Sequence, residues 1–244
     1  MKKKLLFAQY AGVLILCCLL LNGCTQINRP YETCTIFTAR QGDTVLFGNN
    51  EDWHSPELVM NFNPADIGRY GSVGVGFIHP DGRVEFGGRM NDQGLAWDIN
   101  SLPKSELNPQ TSKLYSHQDD NYLSTITQYA ATVEEAIRIA RMFDFGDGMA
   151  YQIHIGDATG DAVVISAGED GEVKFTRKTV GDGYLISTNF NLANPKNGHH
   201  GWRYDTADEA LADIMANNGL NTESAGKVLE DVHLNMLTSY TMYS

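Results

Sequence analysis

The chain has 244 residues, 42% hydrophobic and 10% aromatic, enough to bury a core and too many for a disordered polymer. Its formal net charge of −12 argues against the basic footprint that nucleic-acid binding requires. With no internal repeat and no low-complexity tract, one domain is the expectation.

Lys2, Lys3 and Lys4 precede an almost wholly apolar run from Leu5 to Leu21, interrupted chiefly by Gln9, which reads as a signal peptide over residues 1–23. The run ends in Leu21-Asn22-Gly23-Cys24, which resembles the lipobox of bacterial lipoproteins and makes Cys24 the candidate lipidation site and a lipid anchor. An ordinary secretory signal with incidental cysteines is the alternative. Either way the chain is exported, to the cell envelope or beyond it. Residues 24–33 then form a propeptide or tether. Removing residues 1–33, which carry four basic residues and one acid, takes the net charge from −12 to −15. Cys17, Cys18 and Cys24 lie upstream, so Cys34 is a single free thiol in the domain 34–244.

Along that domain, Thr35 to Arg40 and Thr44 to Phe47 read as a hairpin around Gln41-Gly42-Asp43. Ser72 to His79 and Arg83 to Phe86 flank Pro80-Asp81-Gly82, and Leu95 to Ile99 follows Asn91-Asp92-Gln93-Gly94. Helical spacing takes over at Tyr122 to Tyr129 and Val133 to Phe143, the second opened by a capping box of Thr132 and Glu135. Strands return at Ala150 to Gly156, Asp161 to Ala167, Val173 to Thr176 and Tyr184 to Thr188. Thr206 and Glu209 cap a further helix to about Asn217, and Thr222 to His233 is helical. Strands, helices, strands and helices in that order predict an α+β fold of antiparallel sheets covered by helices.

Cys34 opens the first strand and the return strand ends in Gly48-Asn49-Asn50-Glu51-Asp52-Trp53, so the hairpin brings Asp52 within reach of Cys34. A carboxylate raises a neighbouring thiol's pKa, so another group must act as base. No histidine follows at the spacing of a Cys/His protease. A cut between Thr33 and Cys34 would free an α-amine, with an ordinary pKa of about 7.7–8.0, to serve as that base while Asp52 holds the ammonium or the thiol.

The pattern Cys-Thr-x-Phe, a hairpin, then Gly-x-Asn-x-Asp-Trp resembles the N-terminal nucleophile cysteine amidases, the group of bile salt hydrolases, penicillin V acylases and acyl-CoA:6-aminopenicillanate acyltransferase. Arg89-Met90-Asn91-Asp92-Gln93-Gly94-Leu95-Ala96 looks like that family's Met-Asn-x-x-Gly-Leu segment. Asn100 resembles an oxyanion-hole position, Thr188-Asn189 the pair whose asparagine is the second oxyanion donor, and Trp202-Arg203-Tyr204 the segment that supplies an active-site arginine. The resemblance implies a four-layer αββα sandwich and acyl transfer through a Cys34 thioester. It names Cys34, Asp52, Asn100, Asn189 and Arg203 as catalytic, with no metal or organic cofactor required and a small-molecule amide as substrate. Asn49 stands where bile salt hydrolases carry arginine, which draws the reading from bile salts toward general linear amides. Asn49 and Trp53 are the substrate-binding candidates. An acyltransferase on the same site and a lipid-anchored, non-catalytic binding protein are the competing readings.

Trp53, Phe62, Trp97 and Phe190 are candidates for a hydrophobic acyl pocket, although aromatics at strand positions are more often core. His199-His200 reads as surface loop, not as a metal site. His233 to Ser244 resembles the family's lead into its closing strands, which predicts a domain lacking its last strands. Relatives are often tetramers, so a homo-oligomer is an open expectation.

Overall fold

A computed structural model of the chain describes residues 33–53, 57–79, 81–110, 113–115, 122–195, 201–233 and 238–243. The signal peptide, Cys24 and His199-His200 lie outside them. Among the described residues, eleven strands and four helices follow in order: β1 (Thr33–Gln41), β2 (Thr44–Trp53), β3 (Leu58–Asn63), β4 (Ser72–Ile78), β5 (Val84–Asn91), β6 (Ala96–Glu106), α1 (Tyr122–Tyr129), α2 (Val133–Ala140), β7 (Gly148–Gly156), β8 (Ala162–Ala167), β9 (Val173–Arg177), β10 (Gly183–Ser187), α3 (Trp202–Ala216), α4 (Thr222–Val232) and β11 (Thr238–Tyr243).

The strands form two antiparallel sheets, one of four in the order β10-β1-β2-β11 and one of seven in the order β3-β4-β5-β6-β7-β8-β9. Alternation along the strands divides the core. Phe37, Ala39, Leu46 and Ile186 of the smaller sheet pack under Ala207, Leu211, Val228 and Leu229 of α3 and α4. Trp97, Ile153, Ile155 and Ile165 of the larger sheet, with Leu95 just before β6, pack under Ile126, Ala136 and Ile137 of α1 and α2. Between the sheets lies a small apolar cluster of Ile36, Phe47 and Ala96, flanked by polar side chains. The layers run helix, sheet, sheet, helix, the expected α+β sandwich.

Several boundaries differ from those read in the sequence, each for a local reason. β2 continues through Asn49, Asn50 and Glu51, a buried polar run that hides a strand because it breaks the apolar alternation, with Asn49 facing Asp98 and Glu51 facing Cys34. β6 continues past Leu102-Pro103 to Glu106, with its register to β7 shifting between Ser101 and Ser105, where proline has no N–H for the ladder. β3 escaped the reading because it is an edge strand with Met60 and Phe62 exposed, so its pattern never resolves into a buried face. α2 stops at Ala140, short of Phe143. Its Thr132 cap accepts from the Glu135 N–H at 3.2 Å, and Glu135 returns to the N–H of Ala131 at 2.8 Å. α3 starts at Trp202, not Thr206, after Gly201 at φ 76° and without a side-chain cap. The earlier start puts Arg203 in the first turn of the helix. At the other end of the chain, Thr238–Tyr243 pairs with β2 as an edge strand.

Candidate active site

The hairpin register places the thiol. Gln41 pairs with Thr44 around a turn in which Gly42 takes φ 58°, a conformation open to glycine. Stepping back from that pair sets Cys34 opposite Glu51 and Thr33 opposite Asp52. Paired residues of an antiparallel ladder project from the same face. Cys34 and Glu51 therefore share the face turned to the larger sheet, and the thiol donates to Glu51 Oε2 at 2.9 Å with both residues buried.

Opposite them, β6 turns Trp97, like Leu95 just before the strand, toward the helices, and Ala96, Asp98 and Asn100 toward the gap. Asp98 is fully buried. Its carboxyl accepts from the Asn49 amide and, at 2.6 Å, from the Ile99 N–H, and it meets the Glu51 carboxyl. Two carboxyls can share a hydrogen bond only if one holds a proton. Asn100 accepts from Gln152 Nε2 at 3.3 Å, while its own Nδ2 is buried with no partner among the described residues.

Cys34 is also gripped through its main chain. Its N–H donates to Asn189 Oδ1 at 2.8 Å, and its carbonyl accepts from Arg203 Nη1 at 3.2 Å. Arg203 Nη2 donates to the same Asn189 oxygen at 2.9 Å, and Asn189 Nδ2 donates to the Ser101 carbonyl at 3.0 Å. Gln152 fixes the segment after β10: its Nε2 donates to the carbonyls of Thr188 and Phe190, and its Oε1 accepts from the Leu192 N–H. α3 is docked beside it by Tyr184 donating to Asp208 at 2.8 Å and by Tyr204 edge-on to Phe190 at 5.2 Å.

Burial raises all three acids of the cluster. The Cys34 thiol is pushed well above its ordinary range by desolvation, then by Glu51, with Arg203 acting in the opposite direction. Desolvation and the Asp98 charge push Glu51 well up. Asp98 is raised to about 7, with desolvation outweighing its hydrogen bonds. At neutral pH the thiol is protonated, and the two carboxyls are poised to share a proton.

Cys34, Asn100, Asn189 and Arg203 are thus drawn into one connected cluster. The backbone of Asp52 stands opposite Thr33, one residue beyond the partner of Cys34; its side chain and that of Trp53 lie outside the described set. Asn49 is fully buried and spends its Nδ2 on Asp98, so the position binds a carboxyl of the site, with its Oδ1 unpartnered among the described residues. Of the aromatic pocket candidates, Phe190 adjoins Asn189, but Trp97 is turned to the helical side, where its N–H donates to Thr127 Oγ1 at 2.7 Å, and Phe62 is exposed on β3. Glu51, Asp98 and Gln152 were not singled out in the sequence. The closing pair of the hairpin was enough to find Glu51, by counting along both strands in step. A cavity of about 570 Å³ next to α1, lined by Arg69, Arg89 and Thr127 among others, contains none of the Cys34 cluster.

No family model matches the chain, and no curated protein sequence matches it. Solved structures do. A variant of the conjugated bile acid hydrolase from Clostridium perfringens superposes with a TM-score of 0.59 at 16% identity, over 82% of this chain and 79% of that one. A second variant of that enzyme gives 0.60 at 16% identity, over 82% and 78%. Penicillin V acylase from Agrobacterium tumefaciens matches at 14% identity over 84% and 74%, with a TM-score of 0.48. The chain has the fold of the bile acid hydrolase, an αββα sandwich.

Proposed function

We propose that this protein is a cysteine amidase that hydrolyses linear, non-peptide carbon–nitrogen bonds after cleavage between Thr33 and Cys34. The observation that carries this reading is the grip on Cys34: Asn189 and Arg203 hold its N–H and its carbonyl, leaving the side chain to enter a polar gap where Asn100 keeps a buried N–H₂ unpartnered among the described residues. A buried donor without an acceptor costs about 1–3 kcal/mol, and a substrate oxyanion would repay that cost.

In the cleaved protein the α-amine of Cys34 takes the thiol proton, the thiolate attacks the amide carbonyl, and the amine returns the proton to the leaving nitrogen. Water then hydrolyses the thioester. Asn100 and Asn189 stabilise the oxyanion, Asn189 through the second hydrogen of its amide, and Arg203 orients Cys34 and Asn189. The bile acid hydrolase of the structural matches is named for a small-molecule substrate, which supports hydrophobic N-acyl amides as the first to try. Export through the segment 1–23, with Cys24 as a transient lipid anchor, completes the reading.

The test is intact mass and N-terminal sequencing of protein from exporting cells, with hydrolysis of a panel of N-acyl amides. Wild type is expected to begin at Cys34 and to be active. Cys34→Ala is expected to keep the upstream segment and to lose on the order of 10⁴-fold or more in kcat. An uncut wild-type chain, anchored at Cys24 and inert toward amides, would leave the lipid-anchored binding protein as the better reading. A product formed with an added amine would mark the acyltransferase.

A further inference from the structure

The turnover mechanism leaves two buried acids without a task, and the uncut chain leaves one task without a base. While Thr33 is attached, the nitrogen of Cys34 is a peptide amide that donates to Asn189 and has no proton affinity to offer. Self-cleavage must nevertheless start from that state, and the thiol must lose its proton before any α-amine exists. The acceptor on the thiol is Glu51 Oε2 at 2.9 Å. Glu51 in turn leans on Asp98, which is held by the Asn49 amide and the Ile99 N–H.

Among the described residues neither acid has a cation as partner, so the pair is a poor stabilising device. We propose that the Glu51–Asp98 pair is the base of self-cleavage: Glu51 takes the thiol proton of Cys34 in the intact chain, and Asp98 positions Glu51 and shares its charge. This inference rests on the reading above that the Thr33–Cys34 bond is cut.

The step balances. The singly ionised pair accepts the proton from Sγ, and the thiolate attacks the carbonyl carbon of Thr33. The C–S bond forms as the C–N bond breaks, and the Cys34 nitrogen leaves with a proton returned by Glu51. Water then attacks the thioester, releasing a chain that ends at Thr33, a free thiol and a free α-amine. One water is consumed, and the pair ends as it began. Burial raises the acid on both sides of the transfer, and the direct contact at 2.9 Å gives the proton its path from Sγ to Oε2. The charged or titratable groups acting on the pair are Cys34 on β1, the two acids on each other from β2 and β6, and, through Cys34, Arg203 on α3.

The test is made on the full chain, synthesised in a cell-free system and followed by intact mass from about pH 5 to about pH 9. Wild-type cleavage is expected to rise with pH as the pair becomes singly ionised. Glu51→Gln is expected to slow it about 100-fold or more at every pH. Asp98→Asn removes the like charge that raises Glu51, so the rise should move to lower pH with a lower plateau. A merely structural Asp98 would change the melting temperature and leave the midpoint in place.

A folded Glu51→Gln chain cleaving at the wild-type rate would overturn the proposal. Should that variant not fold, an unmoved midpoint in Asp98→Asn would overturn it instead. If the full chain does not cut itself but protein from exporting cells begins at Cys34 and hydrolyses amides, an outside protease makes the cut; the pair proposal then fails and the amidase reading stands. If protein from exporting cells neither begins at Cys34 nor hydrolyses amides, both fail.

Discussion

Two polar clusters face the gap between the sheets, and they differ in how completely they are satisfied. Around His154 the ring nitrogens meet two hydroxyls, Thr38 Oγ1 at 3.0 Å and Ser187 Oγ at 2.9 Å, and all three residues are buried. Hydroxyls rotate to donate or accept, so this cluster closes on itself. Around Cys34, Asn49 Oδ1 and Asn100 Nδ2 are buried and unpartnered among the described residues, and three acids crowd together. The first cluster joins the sheets; the second carries unsatisfied groups, as sites built for a ligand do.

That contrast is broken most sharply by removing one residue from each cluster. Asn100→Ala deletes an orphaned donor and only a long contact to Gln152 Nε2, which keeps two other acceptors, so it is expected to cost about 10²–10³-fold in kcat on an N-acyl amide while lowering the urea midpoint less than His154→Ala does. His154→Ala leaves two buried hydroxyls unpartnered and opens a cavity. It is expected to lower stability by about 3 kcal/mol in urea melts, with a kcat loss well below that of Asn100→Ala. If Asn100→Ala instead loses as much stability as His154→Ala and keeps its activity, the distinction between the clusters is wrong. A smaller effect sharpens the sheet contact itself. A Cβ at Gly156 would lie 2.4 Å from Thr38 Oγ1 and 3.2 Å from Phe47, so Gly156→Ala should cost about 1–3 kcal/mol through overpacking.

The same contrast explains what could be read from the sequence. The satisfied, apolar parts were legible: Val133 to Ala140 shows its buried face at helical spacing, and the hairpin at Gly42 shows in its turn residues. What escaped was polar and buried. Asn49 and Glu51 break strand patterning because they face Asp98 and Cys34, and Asp98, two residues before Asn100, carries no local mark of its partner on β2. Arg203 was found through motif order, not through its helix, since α3 begins after Gly201 without a side-chain cap. Burial of a charged side chain is set by the partner sheet, and a short window of sequence does not contain that sheet.

Proton linkage separates the clusters a second time, with opposite signs. Burial holds His154 down at about 3, so between that value and its ordinary 6.5 the unfolded chain binds a proton that the folded chain does not, and stability rises with pH. Asp98 behaves the other way. Its ordinary value of 3.8 is raised to about 7, so over that interval the folded chain keeps a proton that the unfolded chain has lost, and stability falls with pH. Glu51, also raised, adds to the fall. In wild type these slopes oppose one another from about pH 5 to about pH 6.5, each proton contributing about 1.4 kcal/mol per pH unit. Removing one cluster's proton should expose the other. Relative to wild type, Asp98→Asn should gain stability as pH rises through this window and His154→Ala should lose it, each by about 2 kcal/mol across the interval. Urea midpoints at several pH values measure both divergences, and parallel lines for all three proteins would mean that neither group is held at its shifted value.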